Sequence, residues 1–137
     1  MKVFLDANVL ISVLNKEYPL FTFSSRILSL TDSKKFQLYT SPLALAIAFY
    51  FSTKKSGEKL AKKKIALLTD NLRLTTINDK VTKTAIKDKR VHDFEDGMQY
   101  YSAVDASCKL IITEDKGDFY FSEIKILNCE EFISNYF

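Results

Sequence analysis

The chain has 137 residues, enough for one domain with a real core and too few for two. Hydrophobic residues at 47% and charged ones at 27%, with only three Gly and two Pro, exclude a disordered or fibrous chain. Net charge is +3, and no apolar run approaches the roughly 20 residues that span a bilayer.

The N-terminus enters a strand at once, without a basic n-region, apolar h-region or cleavage site, so a cytoplasmic protein with no membrane attachment is expected. The first stretch, Val3-Phe4-Leu5-Asp6-Ala7-Asn8-Val9-Leu10, is an apolar run stopped by a carboxylate. It reads as a buried strand that presents Asp6 at the carboxyl edge of a sheet, with Asn8 capping the next helix. That helix runs to about Lys16, where Tyr18-Pro19 interrupts it. A second helix spans about Phe21 to Leu30, with Phe23, Ile27 and Leu30 on one face. Phe36 to Thr40 alternates apolar and polar residues as a strand does. Ser41-Pro42 supplies an N-cap and a proline at the first helical position.

The helix from Leu43 to about Thr53 is apolar almost all round and is expected to be substantially buried. Ser56-Gly57 breaks the chain. A lysine-rich helix follows from Glu58 to about Thr69, then a strand over Leu72–Ile77. Asn78 or Asp79 caps a helix through Val81, Ala85 and Ile86. A longer helix covers Phe94 to Ser107, with Phe94, Met98, Tyr101 and Val104 as its stripe. Leu110–Thr113 is a buried strand ending in the acidic loop Glu114–Asp118. Ile124–Leu127 is a last strand, and Glu130–Asn135 a short terminal helix. Alternating strands and helices with no internal repeat predict an α/β fold: one three-layer α/β/α sandwich over residues 1–137, with a central, mainly parallel sheet.

Cys108 and Cys129 lie far apart and outside any C-x-x-C or His-rich context, which favours buried thiols over a zinc site or a disulfide. Lysines crowd the middle of the chain (Lys54, Lys55, Lys59, Lys62, Lys63, Lys64), and acids gather later. A basic middle beside an acidic cluster fits a protein that draws in a polyanion and holds a cation near it; solvated helix faces are the plainer alternative.

Acids stand at three junctions. Asp6 follows the first strand, Asp93 and Asp96 begin the Phe94 helix, and Asp115 and Asp118 follow the Leu110 strand. Capping explains one carboxylate at a helix start, with Asp93 as N-cap and Asp96 at the third helical position. It does not explain several acids at the same end of one sheet, which is where open parallel sheets bind ligands. Clustered carboxylates without His or Cys suit Mg²⁺ or Mn²⁺. Such an ion can activate water against a phosphodiester, so metal-assisted hydrolysis of nucleic acid follows as the leading chemistry. Less is expected of His92, a flanking-loop residue beside Asp93. The same holds for Phe49, Tyr50, Phe51, Tyr100 and Tyr101, which suit a core or dimer face as well as base stacking. Ser41, at the same sheet end, could hydrogen-bond a metal-bound water.

The chain also resembles a known family. Val3–Leu10 is similar to the "FLDTNVLL" opening of PIN domains, and Asp93–Ala103 to the "DFEDALQYxxA" segment of one PIN branch. Ile111–Phe119 is similar to "IITRNxxDF", and Ile126–Phe132 to the "VLTPEEFL" ending. PIN domains are Mg²⁺- or Mn²⁺-dependent ribonucleases, commonly the toxin half of VapBC-type toxin–antitoxin pairs. The resemblance therefore implies an RNA substrate, a cognate antitoxin and a homodimer. By position it implies metal ligation by Asp6, Asp96 and Asp118, with Asp115 at the family's Asn/Asp position and Asp93 as an extra acid of this branch. It breaks at the Leu43–Tyr50 helix, where many PIN nucleases carry a glutamate and this chain has no acid. The alternative reading is a catalytically degraded PIN-like module that binds RNA or a protein partner without cleaving.

Overall fold

Period-two alternation along two buried strands decides the architecture. A computed structural model describes residues 1–137, and in it β1 (Lys2–Leu5) lies at the centre of a five-stranded sheet. β2 (Gln37–Thr40) and β3 (Arg73–Leu74) flank it on one side, β4 (Leu110–Ile112) and β5 (Lys125–Leu127) on the other, in the order β3-β2-β1-β4-β5. Every pairing is parallel, with Val3 opposite both Leu38 and Leu110. Central strands of such a sheet are covered on both faces, which is why β1 and β4 read as unbroken apolar runs.

Successive side chains leave opposite faces of a strand. Val3, Leu5, Leu38, Leu110 and Ile112 accordingly enter the larger core. There they meet α1 (Ala7–Leu14), α2 (Phe21–Leu28), α3 (Pro42–Ser56), α4 (Glu58–Asn71) and α7 (Cys129–Tyr136). Phe4 and Ile111 enter a smaller core with Tyr100 and Ala103 of α6 (Phe94–Asp105) and with Phe119 and Phe121. α5 (Asp79–Lys87) packs on α6. The outcome is the expected α/β/α sandwich. Both cysteines are buried and free, and burial lifts the Cys108 thiol to about 12.

Local signals placed most of the helix starts. Ser41 Oγ accepts from Ala44 N–H at 2.9 Å with Pro42 first in the helix, and Asn78 Oδ1 accepts from Val81 N–H at 2.9 Å. α3 ends at Gly57, whose φ of +84° lies in the left-handed region open to glycine, and α4 starts directly after it. Two of the crowded lysines are structural: Lys55 and Lys64 donate to the carbonyls of Asn15 and Leu14, where α1 ends.

Four expectations need correction. Asp6, not Asn8, caps α1, its Oδ1 accepting from Ala7 N–H at 2.7 Å, because the helix begins two residues earlier than apolar spacing suggests. The third strand keeps only Arg73 and Leu74, since an edge strand has one neighbour to hold it. α3 seals only Ala44, Leu45, Ala48 and Ser52, leaving Tyr50 54% and Phe51 43% exposed. The helix packs mainly on α1 and α4, and to a smaller extent on α6. In α6 the large residues Phe94 and Val104 face outward, while Gly97, Gln99, Tyr100, Ser102 and Ala103 are buried. Close helix packing selected small residues there, and apolarity could not reveal that.

Gly97 shows how tight that packing is. A Cβ at this position would lie 2.6 Å from Val91 Cγ1 and 3.3 Å from Ala85 Cβ. Gly97→Ala is expected to destabilise by about 1–2 kcal/mol, overpacking outweighing alanine's helix propensity. Urea midpoints check this: in a Val91→Ala background the same change should cost little, and equal costs in both backgrounds would remove Val91 as the cause.

Candidate active site

Three chain segments deliver carboxylates to the carboxyl edge of the sheet. Asp6 leaves β1 directly and continues its ladder, its N–H donating to Ile112 O at 3.0 Å. The side chain is 7% exposed. Its Oδ2 accepts from Thr113 Oγ1 at 2.8 Å and from Asn8 Nδ2 at 3.4 Å. Thr113, the residue after β4, is fully buried. Its hydroxyl also accepts from Asp115 N–H at 3.0 Å and Asn8 Nδ2 at 3.1 Å. Asn8, relieved of capping, bridges to Asp115 Oδ2 at 3.1 Å, and its Oδ1 accepts from Glu114 N–H at 3.2 Å. One amide and one hydroxyl thus tie the exits of β1 and β4 together.

The second source is the start of α6. Asp93 is its N-cap, Oδ1 accepting from Asp96 N–H at 3.1 Å, and Asp96 is the third helical residue. The preceding loop is pinned by Asp88, whose carboxylate takes hydrogen bonds from Arg90 Nε at 3.1 Å and from Tyr101 Oη. These hydrogen bonds hold the Asp88 carboxyl well below the usual carboxylate range. The third source is the turn after β4, which carries Asp115 and Asp118; Asp118 N–H donates to Asp115 O at 3.0 Å.

All five acids singled out from the sequence, Asp6, Asp93, Asp96, Asp115 and Asp118, line one cleft of about 260 Å³. Glu95 joins them, and Ile11, Ile47, Phe51 and Gln99 complete the walls with Ala7 and Asn8. α3 therefore reaches the cleft only through Ile47 and Phe51, so the missing helix acid leaves an apolar wall. Sequence reading passed over Glu95, Thr113 and Gln99. Thr113 had a signal, a lone hydroxyl closing a buried apolar strand. Gln99 had one too, three residues past Asp96 on the same helix face.

Two minor candidates stand apart from the acids. Ser41 is fully buried, and its hydroxyl donates to Gln99 Oε1 at 3.3 Å, so it has no proton to offer a metal-bound water. His92 stacks on Tyr120 with ring centroids 5.6 Å apart and is not among the cleft residues.

Electrostatically the cleft is short of a positive charge. Burial, and then the charges of Asp115 and Asp118, push the Asp6 carboxyl upward against the hydrogen bonds of Thr113 and Ala7. Burial, then Asp93, Asp118, Asp6 and Glu95, push Asp96 up to about 7. A cation relieves both effects at once. No three of these acids stand within direct coordinating reach of one point. The all-oxygen donor set fits a hard ion that keeps several of its own waters, as Mg²⁺ does.

Comparison with known proteins identifies the family and the fold. Residues 2–117 match the family model described as PIN domain. The chain belongs to the PIN-domain family. It is 31% identical over 135 residues to Ribonuclease VapC1 of Aquifex aeolicus (strain VF5), covering 96% of this chain and 92% of that protein. Solved structures share the fold at low identity. VapBC-1 of nontypeable Haemophilus influenzae has a TM-score of 0.70 at 18% identity, covering 95% of this chain and 99% of that one. VapBC2 of Rickettsia felis, bound to a DNA fragment from its promoter, has 0.69 at 15%, covering 93% and 98%. VapC20 of Mycobacterium tuberculosis, described as a Sarcin-Ricin loop cleaving toxin, has 0.67 at 17%, covering 89% and 98%. No helix of this PIN domain is long and apolar enough to cross a membrane.

The tie at Thr113 can be tested directly. Thr113→Val keeps the shape, strips the donor to Asp6 and leaves Asp115 N–H without its acceptor. Loss of such a supporting contact is expected to weaken Mn²⁺ binding about 10- to 100-fold. The check is the Mn²⁺ midpoint of thermal stabilisation, and an unchanged midpoint would exclude Thr113 from the site.

Proposed function

We propose that this chain is a metal-dependent endoribonuclease that hydrolyses RNA phosphodiesters as the toxin of a toxin–antitoxin pair. The observation that carries this reading is the single acid cleft, built from three separate stretches at the carboxyl edge of a PIN-domain sheet. The relative named a ribonuclease supports the substrate class, and the VapBC likenesses support an antitoxin protein as partner.

In this mechanism Asp6, Asp96 and Asp118 would hold Mg²⁺ or Mn²⁺, in part through the ion's own waters. When bound, the ion makes water a competent nucleophile near neutral pH and offsets charge on the phosphodiester. The protein supplies the rest. Thr113 and Asn8 fix the orientation of the Asp6 carboxylate. Asp115, held by Asn8, and Asp93 accept hydrogen bonds from the attacking water and align it. We further propose that residues 1–137 form a single PIN-like domain, cytoplasmic and homodimeric.

The test is cleavage of single-stranded RNA by purified protein with Mn²⁺ or Mg²⁺ and with chelator. Cleavage that chelator abolishes supports the reading, and no cleavage at any metal concentration ends it. The apolar wall of Ile47 and Phe51 favours a second reading, a degraded site in a binding module. A working site gains thermal stability with Mn²⁺ because the ion binds the native state preferentially; a degraded one gains little.

A further inference from the structure

Gln99 is 2% exposed and lines the acid cleft. Its Oε1 accepts from Ser41 Oγ, and Ser41 Oγ already accepts from Ala44 N–H. The serine gives its one proton to that oxygen, and the six carboxylates across the cleft favour the amide's donor rather than a second oxygen facing them, so Nε2 lies away from Ser41. That nitrogen donates to no group of the protein. Asp6 is served by Ala7, Thr113 and Asn8, and neither it nor Asp96 takes a hydrogen bond from Gln99. Nor is Nε2 sealed among the buried atoms that lack a partner. It is a donor held in place by Ser41 and left open toward the cleft.

The composition of the cleft makes that donor matter. Of its 12 lining residues six are carboxylates, none is a cation, and only Asn8 and Gln99 carry side-chain donors. The Asn8 amide is spent on Asp6, Thr113 and Asp115. Ile47 and Phe51, from α3, cannot hydrogen-bond at all. A phosphodiester approaching the acids therefore finds one uncommitted side-chain donor.

We propose that Gln99 Nε2 is the phosphate-binding donor of the cleft, hydrogen-bonding a non-bridging oxygen of the substrate's phosphodiester. The inference rests on the nuclease reading for its substrate. Ser41 is a positioning residue that acts through Gln99. The contact strengthens as negative charge builds on that oxygen, so it acts on turnover as well as on binding.

Two variants test it. Gln99→Glu keeps the acceptor for Ser41 and replaces the donor by a seventh carboxylate; Gln99→Leu removes the polar group at similar volume. Both are expected to cleave RNA about 10²-fold more slowly than wild type, the usual loss for one oxyanion donor. The Mn²⁺ midpoint of thermal stabilisation should stay within about twofold for Gln99→Leu, because an open donor is no metal ligand. Adenosine 5′-monophosphate, a phosphate that this chemistry does not cleave, is titrated calorimetrically with Mn²⁺ present. It should bind Gln99→Leu about tenfold more weakly, roughly one lost hydrogen bond. Folded variants that cut RNA and bind the monophosphate like wild type overturn the inference while leaving the nuclease reading intact. So does a Gln99→Glu protein that cuts faster, since the position would then serve the cation. If wild type cuts no RNA, the nuclease reading fails by itself, and the monophosphate titration still decides whether Gln99 binds phosphate.

Discussion

Asp6→Asn should reduce metal-dependent RNA cleavage by about 10³-fold or more, the scale of several kcal/mol of transition-state charge stabilisation. The fold should survive. Asparagine keeps an oxygen for Ala7 N–H, while its Nδ2 meets the Thr113 hydroxyl donor and forces that hydroxyl to turn. Against that local mismatch, a buried charge disappears from a site where burial opposes it. Circular dichroism should match wild type, and thermal stabilisation by Mn²⁺ should vanish. A variant that cuts as well as wild type would dismiss Asp6 from the chemistry and take the metal-site assignment with it.

Asp96→Asn should separate stability from activity. In the folded chain Asp96 holds its proton up to about pH 7, whereas an ordinary aspartate releases it near 3.8. Between those values the unfolded chain has released a proton that the native state retains. Stability therefore falls as pH rises through this window and stays low above it. The metal-free wild type should melt higher at pH 5 than at pH 8, and Asp96→Asn should flatten that slope. At pH 8 the variant should be more stable by about 1 kcal/mol, the full shift being discounted for screening at a partly exposed group. Cleavage should fall by at least about 10²-fold, a trade of function against stability. Mn²⁺ should reverse the wild-type slope, since the ion competes with protons for the same carboxylates. A pH profile identical in Asp96→Asn and wild type would mean that the repulsion is dissipated elsewhere.

The acid ring was legible because carboxylates interrupt apolar runs. Asp6 ends the Val3–Leu5 run and Asp115 follows Leu110–Thr113, and a parallel sheet brings such junctions to one edge. Asp93 was legible as a cap for a different reason, its place before a periodic helix. The partners of Gln99 and Thr113 were hidden. Local pattern marks a glutamine on the Asp96 face and a hydroxyl closing a strand, but not that one meets Ser41, 58 residues earlier, or that the other meets Asn8 and Asp6, 105 and 107 residues earlier.

By itself, the order of residues determined the alternation of strands and helices, the caps at Ser41 and Asp93, a cap at Asn78 or Asp79, and the family resemblance. Each depends on residues a few positions apart, where backbone geometry alone relates them. Tertiary packing decided what contact decides. It turned Phe94 and Val104 of α6 outward while Gly97 met Val91, and it bared Tyr50 and Phe51 of α3. It also gathered six carboxylates around one buried amide, at separations in the chain that no periodicity spans.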